Sequence, residues 1–296
     1  MREAWTADRS KRTTMTASAT TRQFESGSAG ALLRHWRDLR GKSQLDLALD
    51  AGVSQKHISF VESGRSQPSR QMVVDLAEAL EVPLRERNAI LLAAGYAPHY
   101  SDAALDAPSL SRISKALQRM LKQNEPFPAV VMDRYWNVML ANDAAPRFFS
   151  CFIDLAARPA PRNLLHLTFD PLGLRPFVVD WPATSRMLLA RVYREALGHV
   201  IDPGTHQLLE ELGQYPDVDI RRRALDTDVS SPMIPLTFAK DGVSLSYFSL
   251  ITTVGTPLTI TAQELRLECM IPADDETERV HTAFVSRHAR ETRSGT

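Results

Sequence analysis

Residues 43 to 64 read Ser-Gln-Leu-Asp-Leu-Ala-Leu-Asp-Ala-Gly-Val-Ser-Gln-Lys-His-Ile-Ser-Phe-Val-Glu-Ser-Gly. Ser43 and Ser54 each stand before a helical run, where a serine side chain can accept a hydrogen bond from the first backbone N–H groups. Gly52 suits a left-handed turn, and Gly64 suits the left-handed residue that ends a helix. The stretch therefore predicts two short, capped helices joined by a tight turn.

So tight a turn predicts that the two helices cross steeply, and small and branched apolar side chains supply the surface for the crossing. They are Leu47, Ala48 and Ala51 on the first helix and Val53, Ile58 and Val61 around the second. Gln55, Lys56, His57 and Ser59 remain for the outer side of the second helix. Such a polar set can meet base edges and phosphates in the major groove of DNA.

The flanking sequence extends the pair to five helices. Residues 30–40 carry apolar side chains at helical spacing, Ser69 caps a further helix, and Pro83 opens another that ends near Gly95. Over about residues 29 to 97 the pattern resembles the Xre family of DNA-binding domains. That resemblance implies an all-α, lambda-repressor-like DNA-binding domain of five helices.

The resemblance to the Xre family also implies which residues touch DNA. In that family the residue matching Gln44 holds a phosphate, and the residues at the start of the second helix approach bases or backbone. Phe60 departs from the family, because many relatives carry a polar residue there, and it is expected to touch a thymine methyl group or to pack locally. The predicted DNA contacts are Gln44, Ser54, Gln55, Lys56, His57, Ser59, Phe60 and Arg65.

Arg37 and Glu62 have two interpretations. They match a pair that forms an internal salt bridge in Xre relatives, and such a pair fixes helix orientation more than it adds stability because desolvation offsets the attraction. Alternatively, both are solvated charges worth at most about 1 kcal/mol as a surface pair. The resemblance favours the internal pair.

Composition limits the class of protein. The 296 residues are 44% hydrophobic with a formal net charge of +0, so any affinity for DNA must come from local basic groups. Cys151 and Cys269 are too few for a disulfide framework, and their spacing suits no metal site. No apolar run is long enough to span a bilayer, and no signal-peptide core is present. We expect a cytoplasmic protein without a metal or cofactor. The local basic groups are Arg34, Arg37, Arg40, Lys42, Lys56, Arg65 and Arg70.

The chain is predicted to form two domains. Residues 1–27 lack sustained apolar periodicity and are predicted to be a disordered arm, and residues 28–98 form the helical domain. Residues 99–109 interrupt the helical pattern and are interpreted as a linker. Residues 110–281 are predicted to form the second domain, and residues 282–296 are predicted to be a C-terminal tail.

The second domain is predicted to be α+β with an antiparallel sheet. It opens with an amphipathic helix at 110–121, which either dimerises, transmits a signal or packs on its own domain. A hairpin follows at 129–141, with Asn142 as a cap for the next helix. An Asp-Gly turn at 241–242 joins the strands of a second hairpin, and residues 264–271 supply one more strand. This order resembles that of PAS-like sensors.

Short stretches along the chain resemble the MmyB-like transcription regulators. They include Ser54-Gln-Lys-His-Ile-Ser-Phe-Val-Glu-Ser-Gly-Arg, Pro128-Ala-Val-Val-Met-Asp-Arg, Asn163-Leu-Leu-His, Gly255-Thr-Pro-Leu and Glu264-Leu-Arg-Leu-Glu. The resemblance spans about residues 29 to 281 and implies an Xre-type domain joined to a PAS-like ligand-binding domain. It also implies a small apolar ligand, for which a fatty-acyl molecule is the usual expectation.

The large apolar residues between the two hairpins form either a ligand cavity or an ordinary core. Composition alone favours a core, since every core needs such residues, whereas the family resemblance favours a cavity. Basic side chains among them, including Arg186 and Arg191, can meet a carboxylate at the mouth of a pocket. The predicted ligand contacts are Phe148, Phe152, Leu165, His166, Phe169, Phe177 and Arg175.

The sequence favours a regulator over two other classes of function. His166, Asp170, Asp180 and Ser185 offer a hydrolytic set, but no nucleophile elbow or phosphate-binding glycine loop accompanies them. We therefore expect no catalytic residues. The alternative is an antitoxin-like DNA-binding protein whose C-terminal half binds a partner protein. The favoured interpretation is a sequence-specific transcription regulator, a dimeric repressor that binds double-stranded operator DNA and senses a small apolar ligand.

Overall fold

The computed structural model describes residues 27–195, 202–220 and 235–294. These residues form two compact units. The first contains residues 27–104 together with residues 256–263, and the second contains the remaining described residues from 105 onward. Most of the predicted N-terminal arm, residues 1–26, lies outside the described residues.

The first unit contains the predicted five helices. They are α1 (Ala29–Leu39), α2 (Gln44–Asp50), α3 (Gln55–Glu62), α4 (Arg70–Ala79) and α5 (Leu84–Ala93). Serine side chains cap the first four of these helices, as predicted for α2, α3 and α4. At α2 the cap is reciprocal, because Ser43 accepts from the Asp46 N–H at 3.1 Å and Asp46 accepts from the Ser43 N–H at 2.8 Å. The prediction of a five-helix DNA-binding fold is confirmed.

The crossing of α2 and α3 uses the predicted small and branched side chains. Leu47, Ala48 and Ile58 are almost fully buried, whereas Val53 is only partly buried. Gly52 adopts the left-handed conformation, with φ of +66°, as the tight turn requires. Helix α1 lies close to the end of α3, since a Cβ atom at Gly30 would come within 2.0 Å of the Val61 carbonyl oxygen.

The rest of the chain is mixed α and β. Its elements are α6 (Ser111–Gln123), β1 (Ala129–Met132), β2 (Val138–Ala141), α7 (Ala144–Ser150), α8 (Leu164–Phe169), α9 (Trp181–Glu195), α10 (Pro203–Leu212), β3 (Leu236–Lys240), β4 (Val243–Thr253), α11 (Ile260–Glu264), β5 (Arg266–Pro272) and α12 (Asp275–Ser294). None of the helices in the described part of the chain is both long and apolar enough to cross a membrane.

The five strands form one antiparallel sheet in the order β2-β1-β5-β4-β3. Both predicted hairpins are present, and β5 joins them at the centre of the sheet. Asp241 and Gly242 have φ of +52° and +78°, the pair of left-handed residues that a tight hairpin turn needs. The predicted α+β, PAS-like fold is confirmed.

Helix α6 packs against one face of the sheet. Its buried residues Leu117 and Leu121 share a core with Val131 of β1 and Leu267 of β5. Most of the apolar stripe of α6 is therefore covered by its own unit, with Met120 exposed. On the other side of β1, residues such as Val130 and Met132 belong to two further cores, which the helices α7 to α10 help to build.

The chain does not trail off as a tail from residue 282. Helix α12 runs from Asp275 to Ser294, and Phe284 and His288 on it are buried. The Phe284 ring lies 5.7 Å from the ring of Phe152, centroid to centroid. Val285, between them, is partly buried against the same core, and the tail interpretation missed these positions because most other residues of this part of α12 are polar or small and exposed.

Candidate DNA interface and ligand-binding core

Helix α3 presents the predicted polar residues in two groups. Gln55 and Lys56 are exposed at its first turn, whereas His57 and Ser59 are partly buried. The Ser54 hydroxyl oxygen accepts from the His57 N–H at 3.2 Å and so fixes the start of the helix. The two side chains best placed to reach a base from this helix are therefore Gln55 and Lys56.

Phe60 lies between two cationic side chains. The Lys56 ammonium is 5.5 Å and the Arg65 guanidinium 5.9 Å from the centre of its ring. These distances fit cation–π contacts, and the ring itself is only partly buried. Phe60 thus packs locally with Lys56 and Arg65, which agrees with one of the two roles expected for it and leaves part of the ring accessible.

Arg37 and Glu62 form the predicted internal pair. Both are buried, and Arg37 donates two hydrogen bonds to the Glu62 carboxylate, at 2.6 and 3.0 Å. Gln44 joins them, since its side-chain amide donates to the same carboxylate at 2.9 Å. Glu62 therefore fixes the position of the Gln44 side chain, which is expected to hold a DNA phosphate.

Several basic groups near the motif are hydrogen-bonded or ion-paired within the first unit. Arg40 donates to the carbonyl oxygens of Leu80 and Glu81 at 3.0 and 3.1 Å. Lys42 pairs with the Asp50 carboxylate at 2.7 Å. Arg37 is held by Glu62, as described above. Fewer than the seven basic residues named from the sequence are therefore free to contact DNA. Among the described residues, no acidic partner lies within 4.0 Å of Lys56 or Arg65.

The aromatic residues predicted to line a ligand cavity fall into two cores. Phe148 and Phe152 are buried in the first, with Phe177 partly buried against it. Phe148 makes edge or tilted contacts at 5.2 to 5.6 Å with neighbouring rings that include Phe152, Phe238 and Tyr247. This dense packing is typical of an ordinary aromatic core.

The second core contains the other predicted ligand contacts, Leu165 and Phe169. His166 stands beside it, with its ring nitrogens 3.1 Å from the Tyr215 hydroxyl and 3.1 Å from the Glu211 carboxylate. Arg175 donates to the Pro216 carbonyl at 2.8 Å and to the Asp217 carboxylate at 2.9 Å. The two polar residues among the predicted ligand contacts, His166 and Arg175, are therefore already hydrogen-bonded within the protein.

Buried ion pairs that the sequence did not reveal lie beside the second core. Arg134 pairs with Asp202 at 2.5 Å and with Glu264 at 3.0 Å, and all three residues are buried. Burial alone would raise the pKa of Asp202, but Arg134 and the Thr205 hydroxyl lower it below its usual value. The partners are far apart in sequence, so no local pattern could have identified them.

Arg191 is part of the same group of charges. Its guanidinium donates two hydrogen bonds to Glu268, at 3.1 and 2.7 Å, and a further one to Glu195 at 2.5 Å. It also lies 4.4 Å from the centre of the Trp136 ring. Arg191, which the sequence offered for a ligand carboxylate, is thus paired with two carboxylates of the protein itself.

A network of side-chain amides and carboxylates shapes the loop before Trp136. The Asp133 carboxylate accepts from the N–H groups of Tyr135 and Asn137 at 2.8 and 3.0 Å. The Tyr135 ring packs against Gly204, where a Cβ atom would lie 2.5 Å from it, and its hydroxyl donates to Asp202 at 3.0 Å. Trp136 itself takes the left-handed conformation, with φ of +68°.

Two buried indole N–H groups have no acceptor within the part of the chain that the structure describes. They belong to Trp136, which is buried in the second core, and to Trp181, which packs against it. Phe169, which also belongs to the second core, makes an edge contact with Trp181, with 5.0 Å between the ring centres. A sequence pattern cannot show a missing acceptor, so only the structure identifies this pair.

The hydrolytic set drawn from the sequence is not assembled. Asp170 pairs with Arg158, and the Ser185 hydroxyl donates to the Pro182 carbonyl at 3.3 Å. The Asp180 carboxylate accepts from the Ala183 N–H at 3.3 Å, at the start of α9. Each group thus has a local partner other than His166. Within the described residues no group of three or more side chains could hold a metal ion.

Comparison with known protein families agrees with this division. Residues 33–87 match the helix-turn-helix family, and residues 113–283 match the ligand-binding domain of MmyB-like transcription regulators. A search of curated proteins found no match. Both families are parts of transcription regulators rather than enzymes. The second match covers more than half of the chain, which therefore belongs to the MmyB-like transcription regulators and is a DNA-binding transcription regulator with a ligand-binding domain.

Proposed function

We propose that this regulator is a dimeric, cytoplasmic repressor that reads its operator with α3 and responds to a small apolar ligand. The observation that carries the proposal is the exposure of Gln55 and Lys56 on the first turn of a helix that Ser54 caps and the Arg37–Glu62 pair orients. Side chains at this end of a recognition helix reach base edges in the major groove.

Binding would be sequence-specific because the first unit has little general attraction for DNA. The formal net charge of the chain is +0, and three of the basic residues near the motif are used internally. Lys56 is expected at a base, so the basic side chains left near the motif for phosphates are the exposed Arg34, Arg65 and Arg70, and the salt dependence of binding should be shallow. Base contacts must then supply most of the discrimination between operators.

A dimer would place two α3 helices one turn of DNA apart, about 34 Å, on a palindromic operator. Native mass spectrometry of the purified protein tests this part of the proposal, since the mass reports both the number of chains and any ligand that co-purifies. A monomeric mass on operator DNA would contradict the dimer.

The DNA-reading assignment is tested by three alanine variants. Gln55→Ala and Lys56→Ala should each weaken binding to the specific operator by roughly 1–3 kcal/mol, the cost of a lost base contact. Gln44→Ala should weaken binding to specific and scrambled DNA by similar factors, because a phosphate contact positions the protein without reading sequence. Fluorescence anisotropy on matched and scrambled duplexes measures both effects.

Glu78→Ala is the control for these measurements, since Glu78 is exposed on α4, outside α2 and α3. It should leave operator affinity unchanged. Unchanged affinity in all of Gln44→Ala, Gln55→Ala and Lys56→Ala would show that α3 is not the reading element.

A further inference from the structure

The two unpaired indole N–H groups lie in the same region of the second unit. Trp136 is 2% exposed and forms part of the core that also contains Leu165, Phe169 and Leu189, and Trp181 packs against that core. Their Nε1 atoms are buried, and neither has a hydrogen-bond partner among residues 27–195, 202–220 and 235–294. Buried donors in native proteins almost always have an acceptor, because an unpaired one forfeits its hydrogen bonds to water.

The missing partner must be an acceptor. The indole nitrogen of tryptophan carries one hydrogen and no free lone pair, so it donates and never accepts. A carbonyl, ester, ether or hydroxyl oxygen would satisfy it, and an apolar group would not. Because the surrounding side chains are leucine, valine and phenylalanine, the rest of the bound molecule must be apolar.

The backbone holds Trp136 in place for this role. A bulky residue at φ of +68° is unusual, and Asp133 stabilises the conformation by accepting hydrogen bonds from residues on both sides of Trp136. Burial raises the pKa of the Asp133 carboxyl group. Strained residues that the surrounding structure holds firmly are found most often at ligand sites.

The charges beside the two rings decide between a neutral and an anionic acceptor. Arg191 lies over Trp136 and pairs with Glu195 and Glu268, and Arg175 lies over Trp181 at 4.9 Å and pairs with Asp217. Arg266 also pairs with Glu195, at 3.4 Å, so three guanidinium groups face three carboxylates and the set is already neutral. A ligand carboxylate would find each of these cations already paired and would add a further negative charge.

We propose that the indole N–H groups of Trp136 and Trp181 bind the oxygen of an uncharged apolar molecule of the fatty ester or fatty alcohol class. The inference rests on the proposed ligand-binding function and makes it more specific, since it places the polar end of the ligand and replaces the expected carboxylate by a neutral acceptor. Arg175 and Arg191 then hold the rings by their faces, and the chain of the ligand lies among the apolar residues of the second core.

The proposal is tested by NMR of the indole N–H groups in the full chain labelled with ¹⁵N-tryptophan. The probes are methyl decanoate, decan-1-ol, sodium decanoate and decane. Trp→Phe variants assign the signals, with Trp36→Phe as the matched control because Trp36 is buried in the first unit. Methyl decanoate and decan-1-ol should move the Trp136 and Trp181 signals downfield and slow their exchange with water. The Trp36 signal should not move.

Affinities measured by calorimetry complete the test. Trp136→Phe and Trp181→Phe should each bind methyl decanoate about three- to tenfold more weakly, the loss expected for one hydrogen bond, while binding of decane is unchanged. Sodium decanoate at neutral pH should bind more weakly than its methyl ester. Trp36→Phe should bind every probe as the wild type does.

Three results would overturn the inference. The first is methyl decanoate binding that leaves both indole signals in place, which would mean that the donors bind only water. The second is tighter binding of decanoate than of its ester, and the third is no binding of any probe. Operator binding, measured separately with the α3 variants, distinguishes these outcomes from a failure of the proposed regulator function.

Discussion

At the scale of single residues, buried polar groups in this protein are stabilised by specific partners. Glu62 illustrates the arrangement, because its carboxylate accepts from Arg37 and from Gln44 and is thereby fully engaged. A buried pair of charges adds little net stability, but removal of one member leaves the other without compensation. The cost of such a removal is therefore much larger than the worth of the pair.

Glu62→Ala should destabilise the first unit strongly because it leaves the Arg37 guanidinium buried without its carboxylate. We expect a loss of roughly 3–5 kcal/mol in the free energy of unfolding. Glu78→Ala, at an exposed position of α4, should change it by less than about 0.5 kcal/mol. Urea unfolding of the two variants gives the comparison, and equal midpoints would show that the Arg37–Glu62 pair is no more than a surface contact.

His281 is a buried histidine that the fold holds in its neutral form. The Tyr247 hydroxyl donates to its Nδ1 at 2.6 Å, and its Nε2 donates to the Pro126 carbonyl at 3.0 Å. The ring also stacks on Phe148. Burial lowers the pKa of His281 below its usual value and raises that of Tyr247, so neither group is charged near neutral pH.

The second unit should therefore lose stability in mild acid. The unfolded chain takes up a proton at His281 as the pH falls through about 6.5, whereas the folded chain does so only at lower pH. Stability should fall by up to about 1.4 kcal/mol per pH unit between these two pKa values. His281→Gln should remove this part of the pH dependence, as measured by unfolding at pH 7.5, 6.5 and 5.5. His206→Gln, at an exposed position of α10, is the control, and identical pH slopes for the two variants would contradict the assignment.

At the scale of elements, α5 is capped from a distant part of the chain. Its N-cap residue is Pro83, which offers no side-chain cap, and the Leu84 N–H donates instead to the Gln263 side-chain oxygen at 2.8 Å. Gln263 lies on α11, in the segment 256–263 that belongs to the first unit. Two further hydrogen bonds fix this segment, from the Ile260 N–H to Ser101 and from the Thr261 hydroxyl to Ala103.

Loss of this distant cap should destabilise the first unit. Gln263→Ala should cost about 1 kcal/mol, the usual loss for an N-cap residue, because it leaves the Leu84 N–H without its acceptor. Gln263→Glu retains an acceptor oxygen beside a helix N-terminus and should retain most of the stability. Thermal unfolding of the two variants measures the difference. Equal losses in both would mean that the side chain acts through packing rather than through its oxygen.

Elements with local signals were predictable from the sequence, and those fixed by distant partners were not. The serine caps of α2, α3 and α4 and the Asp-Gly turn at 241–242 each depend on residues a few positions apart, so the sequence alone identified them. The cap of α5 joins residues 84 and 263, and the Arg134–Glu264 pair is almost as distant in sequence. In the candidate site the same limit applies, because an unpaired donor such as Trp136 Nε1 is defined by what surrounds it in space.

At the scale of the whole molecule, the first unit includes one segment, residues 256–263, from the C-terminal part of the chain. The boundary between the two units falls between Gln263, which caps α5, and Glu264, which pairs with Arg134 in the buried charge group of the second unit. These two residues are adjacent in sequence. We therefore expect a displacement of Glu264 to be passed through the backbone at 263–264 to the residue that caps α5.

Ligand binding should change operator affinity through this path. A ligand in the second core can act only by favouring one arrangement of the first units over another, and we expect a coupling of roughly 1–3 kcal/mol, a five- to 150-fold change. Anisotropy titrations of operator with and without saturating methyl decanoate measure it, and DNA should alter ligand affinity by the same factor. Gln263→Ala should retain both binding events and lose most of the coupling, whereas Gln263→Glu should retain it. Identical operator affinities with and without a bound probe in the wild type would show that the second unit binds its ligand without regulating DNA binding.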